Sequence, residues 1–244
     1  SSCSKPELCG NTFGYNWSTW KADWFFPAND IFSKVPILFV RGNHENCERA
    51  SDGWFQYFDP YPIESECNDF SASWDFIAND SRFFVFDSSF GSDVDMGEYQ
   101  KENFEKQLSS LFNPEDKRNT FFLTHRPLVN YAKRFNMGQI NFAETELIAN
   151  KFPKNVKLIL SGYVHLAQIL KIEGNPDQII SGNGGALLDK SDQLPKDLPV
   201  SISGYNLAKI KSIEDYGFAL MNLDQNTIEF YSFENKLLES YSFN

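Results

Sequence analysis

The chain contains three histidines, His44, His125 and His165, and each stands just beyond an apolar run. Pro36-Ile37-Leu38-Phe39-Val40 precedes Arg41-Gly42-Asn43-His44-Glu45. Thr120-Phe121-Phe122-Leu123 precedes Thr124-His125-Arg126-Pro127, and Val156-Lys157-Leu158-Ile159-Leu160 precedes Ser161-Gly162-Tyr163-Val164-His165. An apolar run that breaks into polar residues reads as a buried strand delivering side chains to a loop at its C-terminal end, where open α/β sheets keep their ligands. Parallel strands place such ends on one rim, so imidazoles far apart in sequence converge. Taken alone, any one histidine is more simply a structural or surface residue. Together, with the Asn43 carboxamide beside His44 and with Gly42 and Gly162 allowing close backbone approach, they make a donor set for borderline metals such as Mn, Fe and Zn. The chemistry such a set suits is metal-assisted hydrolysis.

The elements that must carry these residues are legible as alternating strands and helices. A strand is predicted over 36–41, and a further apolar run, Arg82 to Phe86, ends in Asp87-Ser88-Ser89. Phe104, Leu108, Leu111 and Phe112 share one side of a helix between 97 and 112, and Ile140, Ala143, Leu147 and Ile148 mark another over about 140–151. Trp17, Trp20 and Trp24 fall on one face of a helix ending near Phe25, before Pro27, and are expected in the core. The aromatic span 54–62, broken by Pro60 and Pro62, reads as irregular. Beyond residue 166 the pattern changes to short β-rich runs, with turns at 224–226 and 234–236, which reads as an antiparallel meander. With no repeat or linker, residues 1–244 read as one domain.

The 24 Phe and 5 Trp in a chain that is 41% hydrophobic indicate a dense aromatic core. A net charge of −11 argues against nucleic acid as a partner, since a polynucleotide is repelled more strongly than a small phosphoester or a phosphoprotein. No apolar run approaches the roughly 18 residues of a membrane span. The chain opens at Ser1-Ser2-Cys3 without a charged and apolar leader, which reads as a processed or truncated product. Its four cysteines fall in local pairs, Cys3 with Cys9 and Cys47 with Cys67. Two disulfides in an oxidising compartment, and four idle thiols in the cytosol, are the alternatives; the local pairing favours the first.

Gly42-Asn43-His44-Glu45, Thr124-His125-Arg126-Pro127 and Gly162-Tyr163-Val164-His165 resemble, in order, the third to fifth sequence blocks of the calcineurin-like metallophosphoesterases. Val40 to Cys47, Gly53-Trp54-Phe55 and Gly182-Asn183-Gly184-Gly185 with Leu188-Asp189 resemble a bacterial exported branch of that family. The resemblance spans most of the chain from about residue 12. It implies an α/β four-layer αββα sandwich, a periplasmic or secreted location, and hydrolysis of a phosphomonoester or phosphodiester at two divalent or trivalent transition metals. By position, Asn43 and His125 would ligate one metal and His165 the other, while His44 would be the catalytic residue that steadies the phosphoryl group or protonates the leaving oxygen. Arg41, Asp87 and Arg126 stand close by as supports of the ligands or as phosphate contacts; a strand-end hydrogen bond for Asp87 and surface salt bridges for the arginines are the structural alternatives.

The resemblance breaks in two places. The family opens with Asp-x-His and Gly-Asp blocks that supply most ligands of one metal and the bridge between both, and neither precedes Asn43. The fold is therefore expected to lack its first strand or strands. The site would be incomplete, and the chain alone inactive, until a missing N-terminal segment joins it in cis or as a separate chain. Tyr163 stands where the family's last block has its first histidine, and a phenol with a pKa near 10 is a poor ligand for Zn or Mn. Natural loss of catalysis, an altered metal preference and an engineered substitution all account for it. The rival reading is a non-catalytic phosphatase-like protein that binds a phosphorylated ligand or another protein.

Overall fold

The computed structural model describes residues 16–61, 66–113, 115–132, 139–191, 194–202 and 204–244. In chain order the elements are α1 (Trp17–Trp20), a π-helical stretch (Lys21–Phe25), α2 (Phe26–Phe32), α3 (Cys47–Ala50), α4 (Gly53–Tyr57), β1 (Trp74–Ala78), β2 (Ser81–Phe86), α5 (Glu98–Leu108) and β3 (Asn119–Thr124). They continue with β4 (Val129–Asn130), β5 (Gln139–Ile140), α6 (Phe142–Ile148), β6 (Val156–Ser161), β7 (Ala167–Ile172), β8 (Asp177–Ser181), β9 (Val200–Ile202), β10 (Tyr205–Ile213), β11 (Gly217–Asn222), β12 (Thr227–Ser232) and β13 (Leu237–Ser242).

Eight strands form one mixed sheet in the order β1-β2-β3-β6-β8-β7-β10-β9, and β11-β12-β13 form a second, antiparallel one. At the centre of the large sheet β2, β3, β6 and β8 run parallel. Their sequences are almost continuously apolar because both faces are covered. On one face Phe84, Phe86, Phe122 and Ile159 pack with Phe104 and Leu108 of α5 and Ile148 of α6. The alternate residues Phe121, Leu158, Ile169 and Ile179 pack with Ile228, Phe230 and Tyr241 of the second sheet. The result is a helix–sheet–sheet stack, and the outer face of the second sheet carries the exposed Phe218 and Leu220. The β1–β2 hairpin turns on Asn79 and Asp80, both at positive φ, as a two-residue turn that matches strand twist requires.

Five expectations are corrected. Residues 36–41 are not a strand: the segment has no ladder partner among the described residues, and apolar sequence without a hydrogen-bonded neighbour does not become sheet. The tryptophan helix does not stop at Phe25. It passes through the π-helical stretch into α2, and Pro27, which has no N–H to give the preceding turn, falls just after that wider stretch. Trp17 and Trp24 are 51% and 40% exposed, not core, and their rings pack against Phe25, Tyr57, Phe58 and Phe39. The span that begins at Trp54 opens as helix α4 before its prolines. The β-rich tail is not one meander: β8 inserts beside β6 in parallel, β7 and β10 extend the same sheet, and only β11 to β13 form a meander.

Candidate active site

The loop carrying Asn43 and His44 hangs on a buried ion pair. Arg41, 1% exposed, donates Nε–H to the Glu45 carbonyl at 3.0 Å, Nη1–H to the Asp69 carbonyl and to Asp87 Oδ2 at 3.3 Å, and Nη2–H to the Asn68 carbonyl. Asp87 in turn accepts the backbone N–H of Ser71 and Ser89. This engagement makes Arg41 a buried support of the loop, not a surface salt bridge. A disulfide between Cys47 and Cys67 fastens the same loop, and the Arg41 guanidinium lies 4.0 Å from each sulfur. Cys3 and Cys9 lie outside the described residues.

His125 leaves the end of β3 and meets this loop. Its Nε2–H donates to Asn43 Oδ1 at 3.0 Å. Burial pushes its pKa down to about 3, helped by the charges of Arg126, His44 and His165, so the ring is neutral at neutral pH, the form in which imidazole binds a metal. Gly42 permits the approach: a Cβ there would lie 2.5 Å from Glu45 Oε2 and 3.2 Å from His125 Cε1. Glu45, tucked beneath it, has its carboxyl pKa raised by burial.

The opposite wall is built from two tight turns after β6. Gly162 N–H donates to the His125 carbonyl, Val164 N–H to the Gly162 carbonyl, and Leu166 N–H to the Val164 carbonyl. The first is a γ-turn centred on Tyr163 at φ 66°, a strained conformation for a bulky residue. The Tyr163 ring stands edge-on to His125 with centroids 5.4 Å apart and lies under the Arg126 guanidinium. His165 donates Nδ1–H to the Leu187 carbonyl at 3.0 Å, which leaves the Nε2 lone pair available. Its backbone exchanges hydrogen bonds with Asp189. Gly182 makes room for the turns, since a Cβ there would fall 1.9 Å from the Val164 carbonyl oxygen.

Beneath the site Arg126 bonds the Gly91 and Ser89 carbonyls and pairs with Asp93 at 2.8 Å, so it too is a buried support and not a surface salt bridge. Its backbone N–H donates to Ser88 Oγ, which lies 2.8 Å from Thr124 Oγ1. Thr124 contacts Glu144, whose Oε1 also accepts Asn141 Nδ2–H at 3.0 Å. Burial raises the pKa of Glu144 to about 8.

His44 is exposed, and Arg49 Nη1–H points to its Nε2 at 3.2 Å. The sequence reading passed over Arg49; its only signal was a basic residue one helical turn after the Asn-His pair. As a test of metal binding, the donors assembled are one carboxamide oxygen, two imidazoles and a phenol. No three His, Cys, Asp or Glu side chains converge among the described residues. The set fits the neutral part of a metal shell but not a two-ion centre, which needs anionic ligands.

Comparison with known proteins adds the lineage. The family model "Calcineurin-like phosphoesterase" matches residues 8–182. Among solved structures, purple acid phosphatase PPD1 from yellow lupin (Lupinus luteus) seeds aligns over 91% of this chain with 17% identity and a TM-score of 0.59. The chain covers 43% of that protein, less than half its length. GAP50, the anchor in the inner membrane complex of Plasmodium, aligns over 84% of this chain and 74% of its own, with 12% identity and a TM-score of 0.46. No curated protein matches. The lupin match is a likeness of fold. Among the described residues no helix is long and apolar enough to cross a membrane.

Proposed function

This chain belongs to the calcineurin-like phosphoesterase family, and on that premise we propose that it forms part of a metal-dependent phosphoesterase cleaving a phosphomonoester or phosphodiester. The observation that carries this reading is the meeting of Asn43 Oδ1 and His125 Nε2 at 3.0 Å from two distant stretches of sequence. In it Asn43 and His125 would hold one of two transition metals, Mn, Fe or Zn, and His165 would hold the other through Nε2. His44 on the rim protonates the leaving oxygen. Anionic ligands come from outside the described residues, in the same polypeptide or another. The Cys47–Cys67 disulfide supports a periplasmic or secreted location, and the net charge of −11 disfavours a polynucleotide more than it does a small phosphoester or phosphoprotein substrate.

The test is calorimetric titration with Mn and hydrolysis of an aryl phosphate, with and without metal, on the chain and on a version extended upstream. Metal-dependent turnover is expected from the extended protein. Absence of metal binding together with silence in the Tyr163→His variant refutes the proposal. Tyr163, at φ 66° and edge-on to His125, favours a second reading, a phosphatase-like protein that binds a phosphorylated ligand without cleaving it. Binding of a phosphorylated ligand without turnover in the extended, metal-supplied protein supports that alternative.

A further inference from the structure

Three arginines stand around the candidate site, and the structure separates them. Arg41 and Arg126 are buried, with their guanidinium groups engaged by backbone carbonyls and by Asp87 and Asp93. Arg49 is exposed, and its guanidinium meets the His44 ring at 3.2 Å; no carboxylate among the described residues lies within ion-pair distance of it, although its charge is felt at Glu45. Its backbone is nonetheless fixed. Arg49 N–H donates to Asn46 Oδ1 at 3.0 Å, the next residue, Ala50, is buried, and Cys47 two residues earlier is held in the disulfide. A guanidinium presents five N–H donors in a planar fork that matches phosphate oxygens, and one contact to an imidazole leaves most of them for a ligand.

We propose that Arg49 is a phosphate-binding residue that works beside His44 and fits the site to the dianionic terminal phosphate of a monoester in preference to a diester. The inference rests on the phosphoesterase reading for its substrate but not for its anion. A terminal phosphate carries three unsubstituted oxygens and close to two charges, whereas a diester carries two oxygens and one charge. Beside the loop that brings Asn43 to His125, Arg49 adds a charged fork next to His44, so the third unsubstituted oxygen and second charge of a terminal phosphate have a partner that a diester leaves unused. In a chain of net charge −11, a fixed cation at the rim also supplies the local attraction that a dianion needs.

Inorganic phosphate is the probe, titrated calorimetrically into the whole chain and into its Arg49→Ala and Arg49→Lys variants. Loss of a charge-assisted pair is expected to weaken phosphate binding by about 10- to 100-fold in Arg49→Ala. Arg49→Lys should recover only part of it, because the fork is gone. The thermal midpoint should stay unchanged in both, since the side chain is exposed. Equal phosphate affinity in Arg49→Ala, or no phosphate binding by the parent chain, overturns the inference. Turnover of an aryl phosphate and its bis-aryl diester by the extended, metal-supplied protein then separates the two proposals. A fall of about 10-fold in the monoester-to-diester ratio of kcat/KM in Arg49→Ala is expected, and an unchanged ratio refutes the monoester preference. Turnover of neither ester while phosphate binding still depends on Arg49 counts against the hydrolase and leaves the anion site standing.

Discussion

Glu144 provides the sharpest energetic test of how the site is supported. Its carboxyl is buried under the β3 end, faces Asp93, Arg126, Thr124, Ser88 and Asn141, and has its pKa raised by burial from 4.5 to about 8. A protonated acid donates to the Thr124 or Ser88 hydroxyl and accepts from Asn141, which leaves the group satisfied without a charge. Because the folded pKa lies above the unfolded one, this stabilisation is complete below pH 4.5 and is lost as pH rises through 8. Between those values the folded state binds one more proton than the unfolded chain, a slope of about 1.4 kcal/mol per pH unit, so about 3 to 4 kcal/mol disappear between pH 5 and pH 8. The isostere Glu144→Gln keeps the Asn141 bond, offers an N–H to the hydroxyls and does not titrate. Urea unfolding of both proteins at pH 5, 6.5 and 8 should therefore show the parent losing stability relative to the variant by that amount. His125, with its depressed pKa, contributes an opposite slope at the acid end, but it is common to both proteins and cancels in the difference. Parallel stability curves from pH 5 to pH 8 would show that Glu144 is ionised in the fold and would refute the reasoning.

Asp87→Ala leaves the Arg41 guanidinium buried beside no anion, and should cost about 3 to 5 kcal/mol in urea unfolding. Reduction of Cys47–Cys67, or its replacement by serines, releases a closure of 20 residues and should lower stability by about 3 kcal/mol in thermal scans with and without reductant. Gly42→Ala should move His125 or the Glu45 carboxyl by more than a few tenths of an ångström, lowering kcat/KM for an aryl phosphate by about 100-fold in the extended, metal-supplied protein. An unchanged rate in that variant would place the Asn43–His125 pair outside the reaction.

How much of this was legible depended on what each residue's neighbours had to be. The runs 82–86, 120–123 and 156–160 became the parallel strands β2, β3 and β6, because a strand covered on both faces must be apolar at every position. The run 36–40 is equally apolar, yet it is no strand, since pairing is a property of the neighbour and not of the run. For the same reason 177–182 could not reveal that β8 runs parallel to β6 and antiparallel to β7. At the site, histidines placed at run ends were enough to suggest a common rim. For Arg41 and Arg126 the sequence left a supporting or phosphate-contacting role and a surface salt bridge open, and only the fold shows that both are buried, where carbonyl oxygens and one carboxylate surround each. Arg49 belongs to no periodic pattern, and only the fold brings its guanidinium back to His44.

The site divides into two physically different halves. His125, Tyr163 and His165 sit on backbone that is over-determined: the end of β3 bonds the first turn through the Gly162 N–H, Asp189 clamps His165, and the Tyr163 ring is held between His125 and Arg126. Such a surround sustains a bulky aromatic residue at φ 66°, a conformation that costs about 1 to 3 kcal/mol. Strain tolerated at that price keeps the imidazoles at fixed separations, which a metal shell requires more than a phosphate does. His44 and Arg49 lie on the exposed rim, where the disulfide fixes the backbone and the two side chains meet at 3.2 Å. Groups that must follow a proton and a departing oxygen need that freedom, so the division of rigidity accords with the proposal that His125 and His165 hold metal while His44 and Arg49 meet the substrate.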